Sequence, residues 1–133
     1  MSFEFNRNIQ DKNYTSTVAI AQAGANTAAF DLEQVVGGDI ERVVFSLAAP
    51  TAAGIADTKV VTYALQDSAD GSSWAAVDPA ISTTQTGASS AGIVAKEVRF
   101  RVPANTRRYV RIAQTMTASA GTVSGNMVAK LLF

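Results

Sequence analysis

The sequence contains no histidine and no cysteine. Their absence excludes thiol nucleophiles, disulfide bonds, imidazole acid–base catalysis and zinc sites built from these residues. Leucine is also scarce, with five residues against 14 valines and seven isoleucines. Because β-branched side chains lose rotamer freedom in a helix and pack well on a pleated surface, this composition favours β-strands. A chain of 133 residues is expected to form a single domain.

Targeting and membrane segments are not expected either. The first dozen residues include Glu4, Arg7 and Asp11 and lack an apolar core, which is not the pattern of a secretory signal. The uncharged stretch 112–129, which no other uncharged stretch exceeds in length, is rich in threonine, serine, glycine and asparagine. A bilayer core would not accept such a stretch, so we predict no membrane span and no membrane partner.

Charge is balanced over the whole chain but not along it. Eleven basic and eleven acidic residues cancel, yet the first 78 residues carry ten acids and four bases, and the remainder carries one acid and seven bases. The two halves could fold onto each other, or they could present complementary patches to another copy or to an acidic partner. The balanced total argues against a nucleic-acid partner bound through counterion release.

Short apolar runs with an alternating pattern predict several β-strands. The clearest runs, with their expected inward side chains, are 59–66 (Val61, Tyr63, Leu65), 97–102 (Val98, Phe100, Val102), 108–113 (Val110, Ile112) and 127–133 (Met127, Leu131, Phe133). Weaker strands are expected over 14–21 and 29–36. The serine-, threonine- and alanine-rich segments 51–57 and 82–92 are expected to be exposed loops of variable conformation.

The segment 39–50 is ambiguous. Helical spacing and alternation both fit its apolar residues, which are Ile40, Val43, Val44, Phe45 and Leu47. A strand with Val43, Phe45 and Leu47 on one face is preferred, because two valines followed by phenylalanine disfavour a helix. Many short strands without crossover helices then predict an all-β fold of two packed antiparallel sheets or a barrel.

The predicted domain covers residues 14–133 and follows an amino-terminal arm, residues 1–13. In the arm, Phe3 and Phe5 are spaced by polar residues. The arm could pack onto its own domain, or it could reach a neighbouring molecule and add a strand there. We therefore take Phe3, Phe5 and Arg7 as candidate interface residues.

A turn sequence follows the predicted strand 59–66. Asp70 and Gly71 favour a tight turn, because a positive φ costs glycine no steric penalty. Together with Asp67 before them and Trp74 after them, they are interpreted as a structural turn. Two functional alternatives stay open here: Asp67 and Asp70 could bind calcium, although the spacing is not that of an EF-hand, or Trp74 could stack on a sugar ring.

Five arginines flank a predicted turn at 103–106. They are Arg99, Arg101, Arg107, Arg108 and Arg111. If the flanking strands are adjacent, all five could lie within one hairpin, and guanidinium groups suit carboxylates and phosphates. The group could be a solvated face, partly paired with Glu97 and the acidic first half. It could equally be a docking patch for an acidic protein surface.

Little in the sequence points to catalysis. No two carboxylates are placed for general acid–base chemistry, and Gly37 and Gly38 lack the strand, lysine and helix context of a phosphate-binding loop. We therefore predict a protein that is not an enzyme, with no cofactor, no metal site and no small-molecule substrate.

Three segments, 60–74, 102–112 and 121–129, together resemble the cementing (decoration) proteins of tailed-bacteriophage heads. The first is a strand followed by the turn sequence Gln66-Asp67-Ser68-Ala69-Asp70-Gly71-Ser72. The second leads from a proline turn into Arg108-Tyr109-Val110-Arg111, and the third from a threonine and glycine turn into a final apolar strand. The resemblance covers roughly residues 30–133.

This resemblance implies a jelly-roll-like antiparallel β-sandwich without catalytic residues. It also implies that the chain, as a homodimer or homotrimer, binds the outer surface of the major capsid protein lattice and stabilises contacts between capsomers. The expected location is the exterior of the virion head, with the host cytoplasm during assembly. Two other functions stay open: a carbohydrate-binding β-sandwich module, suggested by Asp70, Gly71 and Trp74, and a structural protein of the tail or connector.

Overall fold

The computed structural model describes residues 10–32, 44–88, 92–103, 105–118, 120–121 and 124–132, with side chains described from Thr15 onward. These residues form ten β-strands and no α-helix. The strands are β1 (Gln10–Ala19), β2 (Ala25–Asn26), β3 (Phe30–Asp31), β4 (Val44–Ala49), β5 (Val60–Ser68), β6 (Ala75–Ala76), β7 (Ser82–Thr86), β8 (Lys96–Arg101), β9 (Tyr109–Met116) and β10 (Asn126–Leu132). The prediction of an all-β fold is confirmed.

The strands form two antiparallel sheets that pack against each other. Sheet 1 has the order β1-β10-β4-β8. Sheet 2 has the order β2-β9-β5-β6, with β3 also paired to β9 and β7 also paired to β5. Strands from the beginning and the end of the chain therefore lie side by side in both sheets, and this interleaved order is that of a jelly roll. The prediction of a jelly-roll-like β-sandwich is confirmed.

The core lies between the inward faces of the two sheets. Phe45 of β4 is at its centre: its ring stacks on Phe100 of β8 at 5.5 Å and meets Phe30 of β3 edge-on at 5.6 Å. The side chains predicted to face inward do so, being buried or packed against the core; they are Val61, Tyr63, Leu65, Val98, Phe100, Val102, Val110, Ile112, Met127 and Leu131. Val43 and Phe133 lie outside the described residues.

The ambiguous segment 39–50 is a strand where it is described. β4 begins at Val44 and buries Phe45 and Leu47 completely, as the preferred interpretation required. The predicted strand 14–21 corresponds to β1, which ends at Ala19. Of the described part of 29–36, only Phe30 and Asp31 form a strand, so that prediction was too long for these residues.

The prediction of an exposed loop over 82–92 is wrong for the first part of that segment, which is a strand. Ser82–Thr86 is strand β7, and its inward side chain is the buried Gln85. Gln85 accepts a hydrogen bond from the Tyr63 hydroxyl at 2.7 Å and donates to the carbonyls of Pro50 (3.0 Å) and Val94 (2.7 Å). A polar strand can therefore lie against the core because its buried amide is fully paired.

The segment 51–57 is a loop with mostly exposed residues, as predicted, but two of its side chains are buried in the core. Ala52 and Ile55 are buried, and Ala52 forms a β-bridge with the buried Ile93. Gly92 has φ of 64°, and a Cβ at this position would lie 2.1 Å from the Ala52 carbonyl oxygen. The many alanines and glycines of these loops thus allow close backbone packing at one end of the sandwich.

Candidate functional site

The turn after β5 is held by its own polar side chains. Asp70 Oδ1 accepts hydrogen bonds from the backbone N–H groups of Ser73 (3.0 Å) and Ser72 (2.8 Å) and from the Ser68 hydroxyl (2.9 Å). These bonds lower the pKa of Asp70 to about 2. Gly71 has φ of 78°, the left-handed conformation that favours glycine. The polar groups of this turn therefore fix its shape.

Asp67, at the end of β5, is paired with Arg107. Arg107 donates from Nη2 (2.7 Å) and Nε (3.1 Å) to Asp67 Oδ1, and its backbone N–H donates to Oδ2 at 3.0 Å. Burial acts to raise the pKa of Asp67, which is 6% exposed, but the hydrogen bonds from Arg107 outweigh burial and hold this pKa below its usual value. This arginine anchors the loop before β9 to β5.

Arg108 is paired with a second acid from the first half of the chain. Its Nε donates to Asp31 Oδ1 at 3.0 Å and its Nη2 to Asp31 Oδ2 at 2.9 Å, which is a two-pronged contact between β3 and the start of β9. Its guanidinium also lies 5.0 Å from the centre of the Tyr109 ring. Both ion pairs join an acid of the first half to a base of the second, so the two halves do fold onto each other.

Arg111 differs from its two neighbours. It lies directly across from Gln66 on the outer face of sheet 2, and its Nε donates to Gln66 Oε1 at 2.9 Å. The guanidinium lies over the Trp74 ring, 4.4 Å from the ring centre. Arg111 forms no ion pair with any described residue. Partial burial lowers the pKa of this arginine, which nevertheless stays charged at neutral pH.

Next to Arg111, the outer face of sheet 2 carries small uncharged side chains. Two rows of cross-strand neighbours follow the row of Arg111 and Gln66 at about 7 Å intervals. The first row is Ala113, Ala64 and Ser82, and the second is Thr115, Thr62 and Thr84. Small side chains of this kind allow another surface to approach closely.

The five arginines do not form one hairpin, and that prediction is wrong. Arg99 and Arg101 lie in β8 of sheet 1, whereas Arg111 lies in β9 of sheet 2. The chain crosses from one sheet to the other between these strands, because a jelly roll connects consecutive strands across the sandwich. On the outer face of sheet 1, Arg99 lies 3.6 Å from Glu97, and both side chains are exposed.

A cleft of about 200 Å³ lies between the two sheets beside β7 and β8, the outer strands on this side of the sandwich. It is lined by Leu47, Tyr63, Leu65, Ile81, Ser82, Thr83, Val98, Phe100 and Ile112. Burial raises the pKa of the Tyr63 hydroxyl, and this hydroxyl already donates to Gln85. The lining is therefore mainly apolar and contains no acid and base in contact.

Apart from Arg108, which pairs with Asp31, the predicted site residues fall into three groups. Asp67, Asp70, Gly71 and Trp74 surround the β5 turn, and the strand pairing brings Arg107 and Arg111 to the same corner of sheet 2. Arg99 and Arg101 lie on the other sheet. Phe3, Phe5 and Arg7 lie outside the described residues.

Sequence reasoning missed Gln66, which holds Arg111. The signal that could have found it is alternation, since Gln66 and Arg111 each occupy an outward position in a predicted strand. Nothing in the sequence, however, indicated that these two strands are neighbours. The stack of Arg111 on Trp74 depends on that pairing.

Comparison with known proteins adds no identification. No protein-family model matches the chain, and no curated protein matches it. In the residues that the structure describes, no group of three or more acidic, histidine or cysteine side chains could hold a metal ion. Over the same residues there is no helix with the length and apolar character needed to cross a membrane.

Proposed function

We propose that this chain is a cementing protein of tailed-bacteriophage heads that binds the outer surface of the major capsid protein lattice and catalyses no reaction. The observation that carries the proposal is how the chain uses its ionisable side chains. Asp67 pairs with Arg107, Asp31 pairs with Arg108, and Asp70 holds a turn. These groups stabilise a scaffold, and the described cleft offers no acid–base pair. Such a molecule is suited to binding.

A jelly roll is a suitable scaffold for this role. Its two hydrogen-bonded sheets present a firm outer surface, and the Thr62, Ala64, Thr84 and Thr115 positions of sheet 2 carry small side chains. Small side chains lose little rotamer entropy when they are covered, so a flat contact costs little ordering. A homodimer or homotrimer that spans two capsomers engages its second site at high effective concentration, which strengthens individually weak contacts.

The proposal is tested by co-sedimentation. The purified protein should co-sediment, at a fixed ratio per capsid subunit, with empty heads assembled from the major capsid protein of the same genome. Sedimentation equilibrium of the free protein should give the mass of a dimer or trimer. Variants for this assay should leave Arg107 and Arg108 unchanged, because both hold acids of the fold.

Three outcomes would contradict the proposal. The first is a folded protein that stays in the supernatant and does not co-sediment with the heads. The second is immunogold labelling of virions at the tail alone, which would favour a tail or connector component. The third is binding to a glycan array that is abolished by Trp74→Ala, which would favour a carbohydrate-binding module.

A further inference from the structure

The guanidinium of Arg111 is held in one orientation by two contacts. Gln66 accepts its Nε–H at 2.9 Å, and the Trp74 ring lies beneath its plane with the centre 4.4 Å away. Stacking of a guanidinium on an aromatic face is favourable and leaves its edge available. The two terminal amino groups donate to no acceptor among the described residues. Both Arg111 and Trp74 are only half-buried.

The charges around Arg111 determine which ligand suits it. Arg107 and Arg108 are the nearest arginines in sequence, and each is matched by a carboxylate of the same molecule. Arg111 faces the neutral Gln66 instead. Arg111 is therefore a positively charged group that forms no ion pair with a described residue, and its donors are held in a fixed planar arrangement. A polyanion such as a nucleic acid needs several such charges, whereas a single carboxylate needs only one.

We propose that Arg111, held on Trp74 by Gln66, is the binding site for a carboxylate on an acidic protein surface. The planar carboxylate forms two parallel hydrogen bonds with the free edge of the guanidinium. Because the side chain is already oriented, little rotamer entropy is lost on binding, as is typical of arginine and tryptophan at the centre of interfaces. The assignment rests on the proposed function for the identity of the partner, which would be the capsid lattice.

The first test uses a defined acidic probe. The chain has a single tryptophan and three tyrosines, so fluorescence excited at wavelengths that only tryptophan absorbs reports on Trp74 alone. N-acetyl tetraglutamate amide is titrated at low ionic strength, with the tetraglutamine peptide as the neutral control. The tetraglutamate peptide should give a saturable fluorescence change that salt weakens, and the tetraglutamine peptide should give none.

Two arginine variants make the test specific. Arg111→Ala should weaken tetraglutamate binding about tenfold or more, as expected for the loss of a charge-assisted pair. Arg111→Lys keeps the charge but not the fork, and it should give an intermediate affinity. Arg101→Ala is the matched control, because Arg101 is an exposed arginine on the opposite sheet. It should change the affinity less than twofold, and thermal unfolding checks that every variant is folded.

Several results would overturn the site. They are the absence of a saturable change with wild-type protein, equal losses in the Arg111 and Arg101 variants, and preferential binding of a sulfated heparin tetrasaccharide. Capsid co-sedimentation separates this proposal from the proposed function. If wild-type protein and Arg111→Ala bind heads equally, the carboxylate site is wrong and the cementing function stands. If wild-type protein does not co-sediment with heads but binds tetraglutamate through Arg111, the carboxylate site stands and the cementing function is wrong.

Discussion

Removal of the Arg107 side chain should destabilise the sandwich, because it leaves the Asp67 carboxylate buried without its cation. Arg107 Nη2 and Nε donate to Asp67 Oδ1, and Nη2 also donates to the Asp67 carbonyl at 3.1 Å. Removing one partner of a fully buried ion pair costs about 3–5 kcal/mol, and a hydrogen bond to a charged group contributes about 1.5–3 kcal/mol. The Arg107 side chain is 43% exposed, and its backbone N–H bond to Asp67 survives the change. We therefore expect Arg107→Ala to lower the free energy of unfolding by about 2 kcal/mol.

Urea unfolding at pH 7, followed by tryptophan fluorescence, measures this loss. Arg107→Ala, Asp67→Asn and the double variant form a double-mutant cycle that isolates the interaction between the two side chains. Arg101→Ala, on the exposed face of β8, is the control and should change the free energy of unfolding by no more than about 0.5 kcal/mol. A coupling energy near zero between Arg107 and Asp67 would refute the reasoning, since it would mean that burial of the carboxylate does not depend on the arginine.

The pH dependence gives an independent check with a definite sign. The folded protein holds the pKa of Asp67 below its usual value, so folding favours the ionised carboxylate. This stabilisation is fully present above the unfolded pKa of about 3.9 and is lost as the pH falls through the lower folded pKa. Without the Arg107 side chain, burial dominates and the ionised form is no longer favoured. The stability difference between wild type and Arg107→Ala should therefore shrink below about pH 4.

Three further changes test other parts of the fold. Phe45→Ala removes the ring between Phe30 and Phe100 and should lower the free energy of unfolding in urea by about 3–5 kcal/mol. A decrease of less than about 1 kcal/mol would contradict the central position of this ring. Gly92→Ala should lower the free energy of unfolding by more than about 1 kcal/mol, because φ is 64° and the new Cβ would clash with the Ala52 and Ala53 backbone. Unchanged stability would mean that this loop is not tightly packed. Asp70→Ala should weaken protection of the β5 turn against proteolysis at pH 7, and its difference from wild type should be smaller at pH 2, because a carboxyl with a pKa of about 2 is then partly protonated and accepts weaker hydrogen bonds.

Alternation along the sequence was sufficient to predict the main strands and their inward faces. In residues 61–65 of β5 and 98–100 of β8, every second residue is apolar, and a strand with one buried face requires this pattern. β7 could not be found in this way, because its inward residues, Thr83 and Gln85, are both polar. Gln85 is buried through hydrogen bonds and not through apolar packing. The two-residue strands β2 and β6 are too short to carry a periodic signal.

Arrangement in space was much harder to predict than local structure. β8 and β9 could have paired as a hairpin, but they lie in opposite sheets. No local feature of the sequence distinguishes these two arrangements. The choice depends on which pairing buries the whole set of apolar faces, and this is decided by contacts between residues far apart in sequence. For this reason the sequence indicated correctly that the arginines face outward but not that they divide between two surfaces.

The jelly-roll order also explains why Arg107 and Arg108 pair with acids of the first half, whereas Arg111 forms no ion pair with a described residue. In sheet 2, β9 lies between β3 and β5, so residues from the basic half are placed against residues from the acidic half. Arg108 thereby meets Asp31 and Arg107 meets Asp67, whereas Arg111 lies opposite Gln66. Because this cross-strand position holds a neutral residue, no described acid compensates the positive charge of Arg111.

Gln66→Glu should therefore close the proposed carboxylate site without disturbing the fold. The new carboxylate would lie where Gln66 Oε1 now accepts the Arg111 Nε–H. It would form an ion pair with Arg111 like those that Arg107 and Arg108 form with Asp67 and Asp31. A partly exposed pair of this type changes the free energy of unfolding by only about 0–1 kcal/mol. Tetraglutamate binding, measured by tryptophan fluorescence, should fall about as far as in Arg111→Ala. If a folded Gln66→Glu variant bound the peptide as well as wild type, the uncompensated charge would not be what attracts the acid.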